Sequence, residues 1–329
     1  MSLKPIVIAT RGSALALAQA RAVQASCQGV MPDCLVEIRI IKTTGDKLQT
    51  ASLANAELPK GLFTKELEVA LLNGDADMAV HSLKDLPTSL PAGCTLGAVG
   101  KREDPRDVLV WRVEGAATDG AAFPRGSSLG ILSSGSVVAT SSTRREAQVR
   151  ERRPDLNIVA IRGNVGTRLR KLVEANDFHA TILAAAGLNR LRFEITAEGR
   201  LQNGSLDSEA RALDTLRAVH LDVEAMIPCV GQAAVGIEIR EGDERLVEIC
   251  RRLNHPETES CVRAERSFLA ALGGGCQAAV AAHAVRVDGQ LFIRGVSYLG
   301  GKPCRAELEG PLDRPEDLGQ SLARALALS

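Results

Sequence analysis

One pattern occurs twice in this chain, and a sequence that repeats it has few ways to fold. Ile6, Val7, Ile8 and Ala9 form a short apolar run that passes through a Thr-Arg-Gly-Ser turn into an Ala/Leu-rich helical segment. Val137, Val138 and Ala139 pass through a Thr-Ser-Ser-Thr turn, with Arg144 and Arg145 just beyond, into another. Each is followed by a strand, a second helix and a further buried strand. In the first series these are Val36, Ile38 and Ile40, then "KGLFTKELEVALLNGDAD", then "ADMAVHSLKDLP"; in the second, "LNIVAIRGNVGTRLRKLVEAND", then "HATILAAAGLNRL". Strands alternating with helices specify an α/β sheet domain, and two such series predict two similar lobes. In open α/β sheets ligands sit beyond the carboxyl ends of strands. The cleft between two facing lobes is therefore the expected site.

Local signals refine this outline. Ser13 is a candidate N-cap. Leu67, Ala70 and Leu71 share one helical face, which Gly74 terminates. Thr143 and Glu146 have capping-box spacing and would start the second lobe's helix at Arg144. "HATILAAAGLNRL" reads as a strand with a loop after it, and the polar, acidic run from 193 to 224 as a surface excursion with one helix. "MIPCVGQAAVGIEIR" reads as a buried strand with a glycine turn. From about Leu246 a third unit has two helices, two strands and a last helix. The expected division is residues 1–104 with 225–243 as the first lobe, 105–224 as the second and 244–329 as a small C-terminal α/β domain, which suits 329 residues.

Composition excludes several classes. Aromatic residues are 2% of the chain, too few for the base stacking that single-stranded nucleic acid requires. Forty basic and 40 acidic residues leave no net field to draw nucleic acid or an anionic membrane. No apolar run is long enough to span a bilayer, and no signal peptide is expected. The eight cysteines lack C-x-x-C and zinc spacing, so no metal site is expected and the thiols read as reduced and cytoplasmic. Balanced charge and the absence of heptads point to a monomer.

The chemistry concentrates in three places. Arg11, Arg144, Arg145, Arg162 and Arg168 all fall in strand-to-helix turns or first helical turns, where free N–H groups and the helix dipole already favour anions. One exposed arginine is a solvated surface group, but five at analogous turns predict a clamp for a small polyanion. In "HSLKDLP", Ser82, Lys84 and Asp85 follow a buried strand. Lys84 and Asp85 read either as a solvated pair or as site residues, in which case the carboxylate can stabilise a developing cation or move protons. In "LGGGCQAAVAAH", Gly273, Gly274 and Gly275 precede Cys276. This cysteine reads either as structural or as a thiol carrying a permanent group; no local His–Cys dyad supports a protease-like nucleophile.

These segments together resemble the porphobilinogen deaminase (hydroxymethylbilane synthase) family. The resemblance runs through "IATRGSALALAQA", "KTTGDK", "GLFTKELEVALL", "DMAVHSLKDLP", "KREDPRD", "TSSTRREAQ", "IRGNVGTRLRKL", "ILAAAGLNRL", "VGQAAVGIE" and "AERSFLAALGGGCQ". It implies two periplasmic-binding-protein-like (type II) lobes plus a small C-terminal α/β domain, and condensation of four porphobilinogens into a linear tetrapyrrole with release of ammonia. It also implies a dipyrromethane cofactor, thioether-linked to Cys276. By the same match Asp85 is the catalytic carboxylate. Lys84, Arg144, Arg145, Ser142 and Ser82 match the family's cofactor binders, and Arg11, Ser13, Arg162, Arg168 and Lys60 its substrate binders. The expected partner is porphobilinogen, with neither nucleic acid nor membrane. A rival reading is a non-catalytic two-lobed anion-binding protein, which gives Cys276 no purpose. The chain departs from the family pattern at Gly273 for Glu, Ala279 for Pro, Ala233 and Ala139 for Gly, Thr143 for Leu, and in a longer 193–224 segment. Activity is expected, with slower cofactor loading.

Overall fold

The computed structural model describes residues 4–48, 63–113, 129–174, 177–203, 213–273, 275 and 278–327. Strand β1 (Ile6–Thr10) buries residues on both faces and pairs in parallel with β2 (Val36–Ile40) and β3 (Met78–Ser82). Helices α1 (Ala14–Val30), α2 (Thr44–Leu48) and α3 (Lys65–Leu72) run between these strands, and β4 (Cys94–Val99) follows. Ser13 caps α1 by accepting from the Ala16 N–H at 3.2 Å. Leu67, Ala70 and Leu71 of α3 pack under the sheet, and Gly74 takes a left-handed φ of 75° to end the helix run.

The chain then crosses over and builds a second sheet. Its elements are β5 (Asp107–Arg112), β6 (Val137–Ala139), α4 (Thr143–Arg152), β7 (Asn157–Val159), α5 (Val165–Glu174), β8 (Ala180–Ala184), α6 (Ala185–Arg190), the short β9 (Phe193–Ile195) and β10 (Leu201–Asn203), and β11 (Leu216–Leu221). The strand order is β7-β6-β8-β5-β11. On its return the chain lays β12 (Val235–Arg240) antiparallel between β3 and β4, so the first sheet reads β2-β1-β3-β12-β4. In both lobes three parallel strands lie beside one antiparallel strand, and that strand is the first one laid down after a crossing. This is the type II periplasmic-binding-protein order. The carboxyl ends of β1, β3, β6 and β7 carry the turns that hold most of the expected site residues.

Three local expectations need correction. "HATILAAAGLNRL" is not strand throughout: it passes at Ala185 from β8 into α6, because Ala185, Ala186 and Leu188 bury against the second lobe's sheet. The 193–224 stretch is less an excursion than an edge: β9 and β10 pair, and β11 joins the sheet beside β5 by burying Leu216, Ala218 and Leu221. Residues 204–212 lie outside the described residues. Helix α7 (Glu244–Leu253), expected in the third unit, packs against β4, α1 and β12 and puts Leu246, Ile249 and Cys250 into the first lobe's core. Asp243 caps it directly after β12, so the helix folds back over the sheet it has just left.

The third unit comprises α8 (Pro256–Ala271), the antiparallel sheet β13 (Val280–Val287), β14 (Gln290–Ser297) and β15 (Cys304–Pro311), and α9 (Pro315–Ala327). Asp288 and Gly289, both at positive φ, make the two-residue hairpin turn between β13 and β14. Phe268, Leu291, Ile293 and Leu322 fill its core. Helices α8 and α9 touch backbone to backbone: a Cβ on Gly319 would stand 2.1 Å from the Ala264 carbonyl oxygen.

Candidate active site

The first lobe contributes a tight turn. Leu83–Asp85 form a single 3₁₀ turn at the end of β3. Leu83 anchors it: the side chain is buried over Gly231 and Gly236, and its N–H donates to the Ala234 carbonyl at 3.0 Å. With Leu83 inside, Asp85 is exposed and Lys84 half-buried. Burial and the nearby Arg145 charge push the Lys84 ammonium below the ordinary lysine range, against the pull of Asp85 and Asp107. Its Nζ donates to Gln232 Oε1 at 3.4 Å. Ser82 exchanges hydrogen bonds with the side chain of Gln19 at 2.9 and 3.1 Å.

The second lobe contributes a buried ionic block. Asp107 opens β5 and is fully buried. It accepts from Arg144 Nη1 at 2.7 Å, from Arg145 Nη2 at 2.8 Å and from Gln232 Nε2 at 3.0 Å. Arg144 also donates to the Ile227 carbonyl and Arg145 to the Ile182 carbonyl, both at 2.8 Å. Burial alone would raise the Asp107 pKa, but the two guanidinium charges outweigh it and hold the carboxyl well below the usual carboxylate range. The arginines are therefore not open forks. They spend their geometry on Asp107, and two cations on one anion leave one net positive charge. Arg144 Nε is the exception, a buried donor without a partner among the described residues.

Helix α4 begins under Ser142, not Thr143. The Ser142 hydroxyl accepts from the Arg145 N–H at 3.4 Å, which places Arg145 at the third helical position, where a capping box would need Glu. Glu146 instead takes the Arg150 guanidinium one turn on.

The crossovers tie these pieces to the third domain. Arg102 donates to Glu265 of α8 at 2.6 and 3.1 Å and to the Gln232 carbonyl at 2.9 Å. Glu265, fully buried, also accepts from the Gly231 and Ala284 N–H groups. Arg266, the next residue of α8, donates to the Leu86 and Pro87 carbonyls at 3.1 and 2.7 Å, directly behind Asp85. The helix that precedes the glycine–cysteine loop thus grips the turn that presents the carboxylate. Cys229, on the return crossover, lies among Arg144, Lys84, Asp85 and Asp107; burial pushes its thiol pKa up despite the two cations.

Arg168, in the first turn of α5, joins the same group. Burial and the Arg145 charge push it down to about 10, with Asp85 opposing. Arg162 is exposed at the β7–α5 connection. Arg11 is occupied elsewhere, donating to Asp46 and lying over the Phe63 ring at 4.1 Å, and Ser13 is spent as the α1 cap. Lys60 and Cys276 lie outside the described residues, as does Gly274; the flanking Gly273 has φ 65°. Sequence reasoning did not single out Asp107, Gln232, Arg102, Glu265 or Arg266. Asp107 was visible only as the acid closing "KREDPRD", and its arginine partners are 37 and 38 positions away. Among the described residues no cluster of His, Cys, Asp or Glu could hold a metal ion, and no helix is long and apolar enough to cross a membrane.

Residues 6–248 match the family described as "Porphobilinogen deaminase, dipyromethane cofactor binding domain", and residues 259–327 match "Porphobilinogen deaminase, C-terminal domain". The porphobilinogen deaminase of Thiobacillus denitrificans is 43% identical over 98% of this chain and 94% of its own length. That of Moorella thermoacetica is 42% identical over 98% and 92%. Among solved structures, the periplasmic VFT2 domain of Bordetella pertussis BvgS aligns over 75% of this chain and 86% of its own, at 14% identity and a TM-score of 0.38.

Proposed function

The chain belongs to the porphobilinogen deaminase family, and on that premise we propose that the group around Lys84, Asp85, Arg145 and Arg168 is the seat of its transferase reaction. In that reaction porphobilinogens condense head to tail into hydroxymethylbilane, and each addition releases ammonia. Hydroxymethylbilane is the linear precursor in tetrapyrrole biosynthesis. The observation that carries the assignment is electrostatic. Arg168 has lost solvation beside the Arg145 charge, and among the described residues the buried Arg144 Nε has no acceptor. Cations held this way are stabilised by an anionic ligand.

A dipyrromethane fits that demand, since each pyrrole carries two carboxylates. Lys84, Arg144 and Arg145 would hold them, Ser82 and Ser142 border the same turns, and Cys276 would carry the thioether; Arg168, expected among the substrate binders, stands beside Arg145 where the cofactor and the incoming substrate would meet. When bound, the cofactor supplies the pyrrole end from which the product chain is extended. Arg11, Ser13, Arg162 and Lys60 are assigned to the incoming substrate's acetate and propionate groups. For Arg11 this requires that Asp46 be displaced.

Asp85 does different work. It is the exposed carboxylate among buried cations, so it stabilises positive charge on a pyrrole nitrogen and handles the proton as ammonia leaves. Arg266 fixes where that carboxylate stands. The reading is completed by a cytoplasmic monomer, supported by the seven free thiols among the described residues.

The test is the intact denatured mass of wild type beside Cys276→Ser. An adduct of two linked pyrrole units in wild type alone, growing in steps on addition of porphobilinogen, is the expected outcome. An unmodified wild type that gains no mass with porphobilinogen would overturn the assignment.

A further inference from the structure

We infer that Gln232 is a positioning residue that fixes the distance between the cations of the two lobes. Its carbonyl end seats the Lys84 ammonium of the first lobe, and its amide nitrogen seats Asp107, hence the Arg144–Arg145 block, of the second. The inference rests on the reading of these cations as carboxylate holders.

The geometry leaves Gln232 one orientation. The residue is fully buried on the return crossover. Nε2 donates to Asp107 Oδ1 at 3.0 Å and to the Pro105 carbonyl at 2.7 Å. Both partners are pure acceptors, so a flipped amide would set its oxygen against two others. Oε1 is therefore committed to the Lys84 side, 3.4 Å from Nζ. The backbone is equally constrained. Gly231 and Ala233 flank it at φ 67° and 74°, two consecutive reversals about the same residue. The Gly231 N–H is held by Glu265, the Gln232 carbonyl by Arg102, and the Ala233 carbonyl by Arg190 at 2.6 Å. Anchors from the first crossover, the second lobe and the third domain thus converge on three residues.

A buried amide kept only for packing could be replaced by an apolar side chain at little cost, provided its partners are not stranded. Here the partners are charged groups of the site. Among the described residues the charged groups facing Lys84 include Asp85 on its own turn, Arg145 from α4, and Asp107 from β5; the Cys229 thiol and Gln232 face it from the return crossover. Arg145 disfavours its charge, and Gln232 Oε1 adds a neutral acceptor that favours it. Without that acceptor Lys84 should lose its proton at lower pH and weaken its hold on a carboxylate.

The experiment compares holoenzyme pH profiles of kcat/KM for porphobilinogen in wild type, Gln232→Met, Gln232→Glu and Lys84→Met. Gln232→Met should move the alkaline limb down by roughly one pH unit. Gln232→Glu puts an oxygen where Nε2 faces Asp107 Oδ1 and the Pro105 carbonyl, so it should hold a proton there, keep an acceptor towards Lys84 and leave the alkaline limb near wild type. A shift in one variant and not in the other is what a purely structural role would not produce; if Gln232→Met fails to fold, a folded Gln232→Glu whose alkaline limb falls overturns the inference. A folded Gln232→Met that loses activity equally at every pH, or keeps the wild-type profile, overturns the inference. Lys84→Met separates the premise: wild-type kinetics there would overturn the role of Lys84 itself, whatever Gln232 does.

Discussion

The two lobes are the same sheet built twice, yet they treat their buried carboxylates in opposite ways. In the first lobe β12 buries Glu238, which meets His81 at 2.9 Å, and both Glu238 oxygens and His81 Nε2 lack a well-aligned hydrogen bond. In the second, β5 buries Asp107 under two arginines and Gln232, all within 2.7–3.0 Å. An arginine does not shed its proton, so the second lobe carries a permanent ionic block with its hydrogen bonds made, while the first lobe's buried carboxylate has no such block. The strand ends differ to match. After its third parallel strand the first lobe exposes Asp85 on a short turn, and the second buries α6. One scaffold therefore yields a presenting lobe and a holding lobe.

This contrast can be broken in graded steps. The largest effect is expected at Asp85. Asp85→Asn should cut turnover at least roughly a hundredfold while leaving the melting temperature near wild type, because the side chain is exposed; normal turnover would remove Asp85 from the mechanism. Next is Asp107→Asn, which strands two buried guanidiniums and should cost about 3–5 kcal/mol in chemical denaturation. Glu238→Gln in the first lobe should cost only about 1 kcal/mol. Equal losses would mean that the lobes hold their carboxylates alike.

Acid sensitivity offers a finer cut. Asp107 has a depressed pKa, so its contribution is complete above the unfolded value near 4 and fades only below it. His283, buried in β13, is pushed down to about 4 by burial first and then by the Arg102 charge. Its neutral form is the stable one when folded. Its contribution is therefore complete above pH 6.5 and is lost as pH falls from 6.5 towards 4, by roughly 3 kcal/mol. A loss of stability over that interval should vanish in His283→Gln. If it persists, the acid-labile group lies elsewhere. The smallest effect is at Ala233, an L-residue at φ 74°. Ala233→Gly should raise stability by about 0.5–1 kcal/mol, the relief of left-handed strain less the added chain entropy. A decrease would mean that the methyl group packs better than its backbone suffers.

Much of the site could be read directly. Lys84, Asp85, Arg145 and Arg168 were singled out as strand-end groups, and the structure brings them together. Less was legible wherever a residue's partner is distant. Arg144 and Arg145 read as open clamps because nothing near them in the chain announces Asp107. Arg11 read the same way because Asp46 lies beyond an intervening helix and strand. The cap moved from Thr143 to Ser142 because a spacing rule does not know which residue leaves the helical backbone conformation first. Helix α7 was read with the third unit because it adjoins that unit in sequence, though it packs on the first.

By itself the sequence determined the doubled strand–helix series, the apolar faces that close each sheet, and the clustering of arginine at strand ends. These depend on periodicity and on groups a few residues apart. Only the tertiary structure decided which carboxylate meets which cation: that Asp107 neutralises half of the arginine pair, that Gln232 reaches both lobes, and that α8 grips the turn behind Asp85. Burial strips these groups of water, so each must find its counter-charge or acceptor across the fold, and neighbours along the chain do not report who that will be.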